Sequence, residues 1–199
     1  MSFLEGFAIG LGMIIFVGPV FFLLLNSSFQ WGSKAGVAVA LGIIASDIVC
    51  IMLCYYGLSS FINGEDNRFW IGVIGSTILF VLGINYFFKK AKITTDVSIN
   101  TRGLQSFFIK GFSVNFFNPF VFVVWIGVFQ YGKSKYPDQG LLFAFLTAVL
   151  FGILTTDLLK VFLSKKLKKF ISPRRLTAFF KVTGVVLVLF SIRLLYMVW

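Results

Sequence analysis

The chain has 199 residues, 58% apolar and 13% charged, with a mean hydropathy of +0.95 and a net charge of +11. A soluble domain is about 45–50% apolar and about 25% charged because it needs a polar skin, so a soluble enzyme, a disordered chain and a disulfide-rich secreted domain are all excluded. What remains is an all-α integral membrane protein, a single transmembrane domain over 1–199 that has room for about six spans of about 20 residues each.

Six apolar segments follow along the chain: 4–26, 36–60, 69–88, 107–130, 140–163 and 177–199. The first carries Glu5 and no Lys or Arg in its leading part, and its apolar run is too long for a signal-peptide core, so it reads as a retained span. The second is broken only by Asp47, the fifth only by Asp157 and Lys160. The sixth is the weakest, with Lys181 and Arg193 close enough to its ends to snorkel.

The connections differ in charge. The first, third and fifth, together with Lys110 and Lys181 at the adjoining span ends, carry 13 Lys and Arg, including Lys34, Lys89, Lys90 and the basic stretch Ser164 to Arg175; the second and fourth carry 3. The basic connections are therefore expected in the cytoplasm and both termini outside. The basic stretch reads as an orientation anchor docked on the lipid surface, not as a nucleic-acid site.

The sequence also resembles itself. Phe29-Gln30-Trp31-Gly32 recurs as Phe129-Gln130-Tyr131-Gly132, and Gly18-Pro19 aligns with Asn118-Pro119, both at an offset of 100. Gly42-Ile43 with Asp47 recurs as Gly152-Ile153 with Asp157 at an offset of 110. The expected architecture is six transmembrane helices as two inverted-topology three-helix repeats. Repeat one covers 1–88 and repeat two 107–199, joined by a cytoplasmic linker over 89–106. An odd number of spans per repeat inverts the second copy, as in many secondary transporters.

Several residues could carry chemistry. Pro19 and Pro119 interrupt apolar spans, because proline has no N–H and clashes with the carbonyl four residues back. Gly18 and Asn118 suit the capping position just before them. Each site therefore predicts a break with a new half-helix starting at proline, whose N-terminal N–H groups suit a carboxylate. Asn115 and Asn118, three residues apart, are candidates for substrate contact or for interhelical hydrogen bonding. Asp47 and Asp157 are the acids deep in spans, where charge is costly and marks ion or proton pathways. Lys160 lies three residues after Asp157, within helical pairing distance, so that pair reads as structural or gating. Asp47 has no such neighbour and is the candidate coupling acid. Gly6, Gly10, Ala38, Gly42 and Ser46, at four-residue spacing, read as close helix packing.

The absence of His from the sequence removes His-ligated metal and His base chemistry. Cys50 and Cys54 share a helical face with Asp47 and could form a soft-metal set, though two small buried hydrophobes is the simpler reading. No nucleotide loop, nucleophile elbow or zinc spacing is present. Neither an enzyme nor a cofactor is indicated.

Gly18-Pro19, Gly36, Gly42 with Asp47, Gly57, and above all Gly111-Phe112-x-x-Asn115-x-x-Asn118-Pro119 resemble the LysE/RhtB family of bacterial amino-acid exporters (the lysine exporter superfamily) over nearly the whole chain. Phe120 stands where that family usually has a lysine. The resemblance implies six spans and export of amino acids or related small metabolites, driven by the proton motive force. It also implies a bacterial inner (plasma) membrane location and is compatible with a homodimer. A divalent or soft-metal cation exporter of the same superfamily is the alternative.

Overall fold

The computed structural model describes residues 1–15, 18–63, 65–90, 103–167 and 172–198, and these are helical almost throughout. In chain order the helices are α1 (Ser2–Gly12), a 3-10 turn (Met13–Ile15), α2 (Pro19–Trp31), α3 (Ser33–Asn63) and α4 (Glu65–Phe88). They continue as α5 (Gly103–Phe116), α6 (Pro119–Lys135), α7 (Gln139–Phe162), the short α8 (Ser164–Leu167) and α9 (Pro173–Val198). Local chemistry sets several of these limits. Gly32 separates α2 from α3 at φ 85, a conformation glycine adopts without steric cost. Asp138 caps α7 by accepting from the Leu141 N–H at 2.9 Å. The Ser172 hydroxyl accepts from the Arg175 N–H at the start of α9.

Among the described residues, three helices are long and apolar enough to cross a bilayer: Ser33–Gly57, Gln139–Phe162 and Pro173–Tyr196. Two bent pairs raise the number to as many as five, each pair counted as one span. The described apolar part of α4, Gly72–Phe88, is 17 residues long, short of the about 20 that a full crossing needs. Large apolar side chains such as Leu41, Met52, Ile74, Phe80, Phe143, Phe151 and Leu189 are exposed. A helix apolar on its outer as well as its inner face belongs in lipid. The chain is a multi-pass membrane protein.

Three helix pairs dominate the packing: α1 on α7, α5 on α3, and α4 on α9. Small residues make the approach possible. A Cβ on Gly10 would strike the Val149 carbonyl oxygen, and one on Gly111 would strike that of Val39. Gly6 meets Phe145, Gly42 meets Phe108, and Gly83 and Gly184 meet each other. Backbones this close gain packing contact that larger residues would prevent. The resemblance between Phe29–Gly32 and Phe129–Gly132 ends at the last residue: Gly32 is a turn, whereas Gly132 lies inside α6 against the Phe145 ring.

Two buried clusters hold the centre. One joins Leu24, Ala38, Val39, Ile43, Phe107 and Val161; the other joins Cys50, Cys54, Trp125, Phe129, Phe145 and Val149. At one end of α1 the Glu5 carboxylate accepts from Tyr131, from Tyr136 at 2.5 Å and from Lys135 at 2.7 Å, tying α1 to the end of α6. The expected linker over 89–106 falls mostly on residues 91–102, outside the described ones, and α5 already begins at Gly103.

Candidate functional site

Both prolines begin helices. The α1 to α2 pair bends by 79° and the α5 to α6 pair by 70°. Gly18 and Asn118 are extended at these bends, with φ −124 and −91. The carbonyl freed by Pro119 is not wasted, since the Asn115 oxygen accepts from the Asn118 N–H at 3.1 Å.

The two new N-termini differ, which departs from the expectation that both offer free N–H groups. The Asn118 side-chain oxygen accepts from the Phe120 N–H at 3.2 Å, and the Asn118 carbonyl accepts from the Val121 N–H at 3.0 Å. The first N–H groups of α6 are thus satisfied locally. Gly18 has no side chain to do the same, and among the described residues α2 has no side-chain cap.

Between the bends lies a cavity of about 110 Å³. It brings together six of the residues singled out from the sequence: Gly18, Asp47, Asn115, Asn118, Asp157 and Lys160. Pro19 and Pro119 start the half-helices whose first turns, Val20-Phe21 and Phe120-Val121, line it. The remaining wall is largely aliphatic, from Val124, Val128, Val149 and Ile153.

Asp47, on α3, is buried at 3% exposure. Its Oδ1 accepts from Asn115 Nδ2 at 2.7 Å and from Trp125 Nε1 at 2.8 Å. Asn115 Nδ2 also reaches Ser46 Oγ at 3.2 Å and the Ile43 carbonyl at 3.3 Å, so α5 and α6 are both pinned to α3 here. Asp47 Oδ2 has no hydrogen-bond partner among the described residues. Asp157, on α7, pairs with Lys160 at 3.0 Å, both buried. The Lys160 ammonium lies 6.0 Å from the centre of the Phe21 ring, in the first turn of α2. Asp157 and Asp47 line the same cavity. Two acids and one ammonium therefore share the cavity with two helix N-termini. Phe120, at the position where a lysine was expected from the family pattern, lines the same cavity, and the cation there is Lys160.

Trp125 was not anticipated. The signal was available: it lies seven residues after Asn118, two helical turns along one face, and a buried indole N–H needs an acceptor. Cys50 and Cys54 do share the helix of Asp47 but turn into the apolar cluster with Trp125 and Phe129 rather than to the cavity. Among the described residues no group of three Cys, Asp or Glu stands close enough to hold a metal ion.

The sequence pattern of the family described as LysE type translocator matches residues 11–198. The chain is also similar to the Bacillus subtilis (strain 168) protein named "Putative amino acid efflux protein YcgF", at 26% identity over 130 residues. That match covers 64% of this chain and 61% of the relative, so it spans less than two thirds of the relative's length. No solved structure is significantly similar. A multi-pass helical chain with a buried, charged cavity is matched by this pattern over nearly its whole length, and the chain belongs to the LysE type translocator family.

Proposed function

We propose that the protein is a secondary exporter of amino acids or related small metabolites across a bacterial inner membrane, driven by the proton motive force. The observation that carries this reading is the cavity in which an acid, Asp47, and an uncapped half-helix N-terminus, at Gly18, face one volume. An α-amino acid needs an acceptor for its ammonium and donors for its carboxylate. The open Oδ2 of Asp47 suits the first, and the start of α2 beside Lys160 suits the second. Asp47 exchanges substrate for a proton, because a bare carboxylate crossing a low-dielectric site is costly. Asp157 is already matched by Lys160 and holds the site together. The name of the B. subtilis relative points to the same substrate class. Metal-cation export has no comparable support, since the thiols lie away from the cavity.

The proposed architecture is two inverted three-span units, 1–88 and 107–199, with α4 as the third span, α9 as the sixth, and the termini outside. The packing supports it: α1 lies on α7 as α5 lies on α3, an exchange expected of two units related by a two-fold axis. Proteoliposomes loaded with labelled amino acids test the function. Efflux should accelerate when a pH gradient is imposed that drives protons against the direction of substrate movement. Efflux indifferent to the gradient would overturn the proton coupling.

A further inference from the structure

The charges around the cavity nearly cancel. Among the described lining residues Asp47 and Asp157 contribute two negative charges and Lys160 one positive. The first turn of α2 brings an uncapped helix N-terminus, equivalent to about half a positive charge, and that of α6 a second one whose leading N–H groups Asn118 already engages. A ligand with no net charge leaves that balance undisturbed. The balance also has an internal arrangement. Lys160 engages Asp157 at 3.0 Å and stands beside the first turn of α2, so it occupies the position that a second ammonium would need in order to reach Asp157. Asp47 is left to serve one ammonium. Beyond these groups the wall is mostly apolar, with Val121, Val124, Val128, Val149 and Ile153 joined by the aromatic rings of Phe21, Phe120 and Trp125.

We propose that the cavity selects net-neutral zwitterionic amino acids with apolar side chains, and that Lys160 is the specificity determinant that excludes basic ones. This rests on the amino-acid export reading above and narrows it. The α-ammonium lies at Asp47, the α-carboxylate at the start of α2 beside Lys160, and the side chain against the valines. A lysine substrate would bring its second ammonium into an apolar wall with no free acid. A glutamate substrate would bring a second carboxylate with no free cation. Each leaves a charge buried and unpaired, the most costly defect a binding site can suffer. In Lys160→Met, Asp157 loses its cation and the cavity gains a net negative charge, so a basic substrate replaces the missing ammonium.

The test is counterflow in proteoliposomes holding the full chain, with labelled L-leucine, L-lysine and L-glutamate and no imposed gradient. The wild-type protein should exchange leucine about 100-fold or more faster than lysine or glutamate at equal concentration. Lys160→Met should raise lysine exchange relative to leucine by about tenfold or more. The double variant Asp157→Asn, Lys160→Met, which removes both charges, should go on rejecting lysine. If Lys160→Met is too unstable to reconstitute, L-lysine should raise its melting temperature in detergent more than L-leucine does, and equal shifts would count against the proposal. Wild-type exchange of lysine at the rate of leucine, or a folded Lys160→Met with no gain for lysine, overturns the specificity assignment while leaving amino-acid export standing. Exchange of none of the amino acids overturns the export reading and this proposal with it.

Discussion

Asn115 donates its side-chain amide to Asp47 across 68 residues of sequence, at 2.7 Å and in a buried setting. That bond ties the last turn of α5, just before the break at Pro119, to the middle of α3. Trp125, from the other side of the same break, donates to the same carboxylate oxygen. The orientation of Asp47 therefore depends on both halves of the bent pair.

Removing either donor should disturb Asp47 without emptying the cavity. Asn115→Ala and Trp125→Phe should each slow exchange by about tenfold, the equivalent of one hydrogen bond to a charged group. Because they share one acceptor oxygen, their effects should not add. A double-mutant cycle on exchange rates checks this, and strictly additive losses would show that the two donors act independently.

The breaks themselves are open to test. Alanine at position 19 or 119 restores a backbone N–H and lets the helix run on, withdrawing the first turn of α2 or α6 from the cavity. Pro19→Ala and Pro119→Ala should both depress export while the protein still inserts in the membrane. Asn118→Ala should cost about 1 kcal/mol of stability through loss of the cap, read as a lower melting temperature in detergent. Normal transport by both proline variants would reduce the bends to idle kinks.

Much of this site was legible in the sequence because membrane helices penalise the residue types that build it. A proline, an acid or an asparagine inside an apolar run has few uses other than a break or a polar contact, so Pro19, Asp47, Asn115 and Asp157 stood out. The i, i+3 spacing of Asp157 and Lys160 sufficed to anticipate their ion pair. Trp125 was hidden, since an aromatic residue in an apolar span is ordinary and its partner lies 78 residues away. The unequal capping of the two half-helices could have been noticed from Gly18 against Asn118, since only asparagine has a side chain that can accept. The tie from Glu5 to Tyr131, Lys135 and Tyr136 needed the tertiary structure, because nothing local connects the start of α1 to the end of α6.

The buried ion pair predicts a folding phenotype distinct from a transport phenotype. Asp157→Asn leaves Lys160 charged and unpaired, which should destabilise the protein by about 3–5 kcal/mol and lower its membrane abundance. Adding Lys160→Met removes the stranded charge and should recover part of the loss. Immunoblots of membranes from cells expressing each variant at equal induction provide the comparison. Equal abundance of all three would mean that the pair contributes nothing to the fold.

The distribution of basic residues, 13 in or beside the odd connections against 3 in the even ones, predicts the orientation. Reporter fusions should place both ends of the chain on the outer side and the region around Ser164 in the cytoplasm. A cytoplasmic C-terminus would contradict this orientation.

The central claim is that Asp47 couples protons to substrate in the cavity between the two breaks. Asp47→Asn preserves size and can still accept from Asn115 and Trp125, but it cannot carry a proton on and off. The decisive measurement is amino-acid efflux from proteoliposomes with and without an imposed pH gradient, at matched protein content, for the wild-type chain and Asp47→Asn. The gradient should accelerate the wild-type protein and leave the variant at its ungradiented rate. A variant that responds to the gradient as fully as the wild type would show that the coupling acid lies elsewhere.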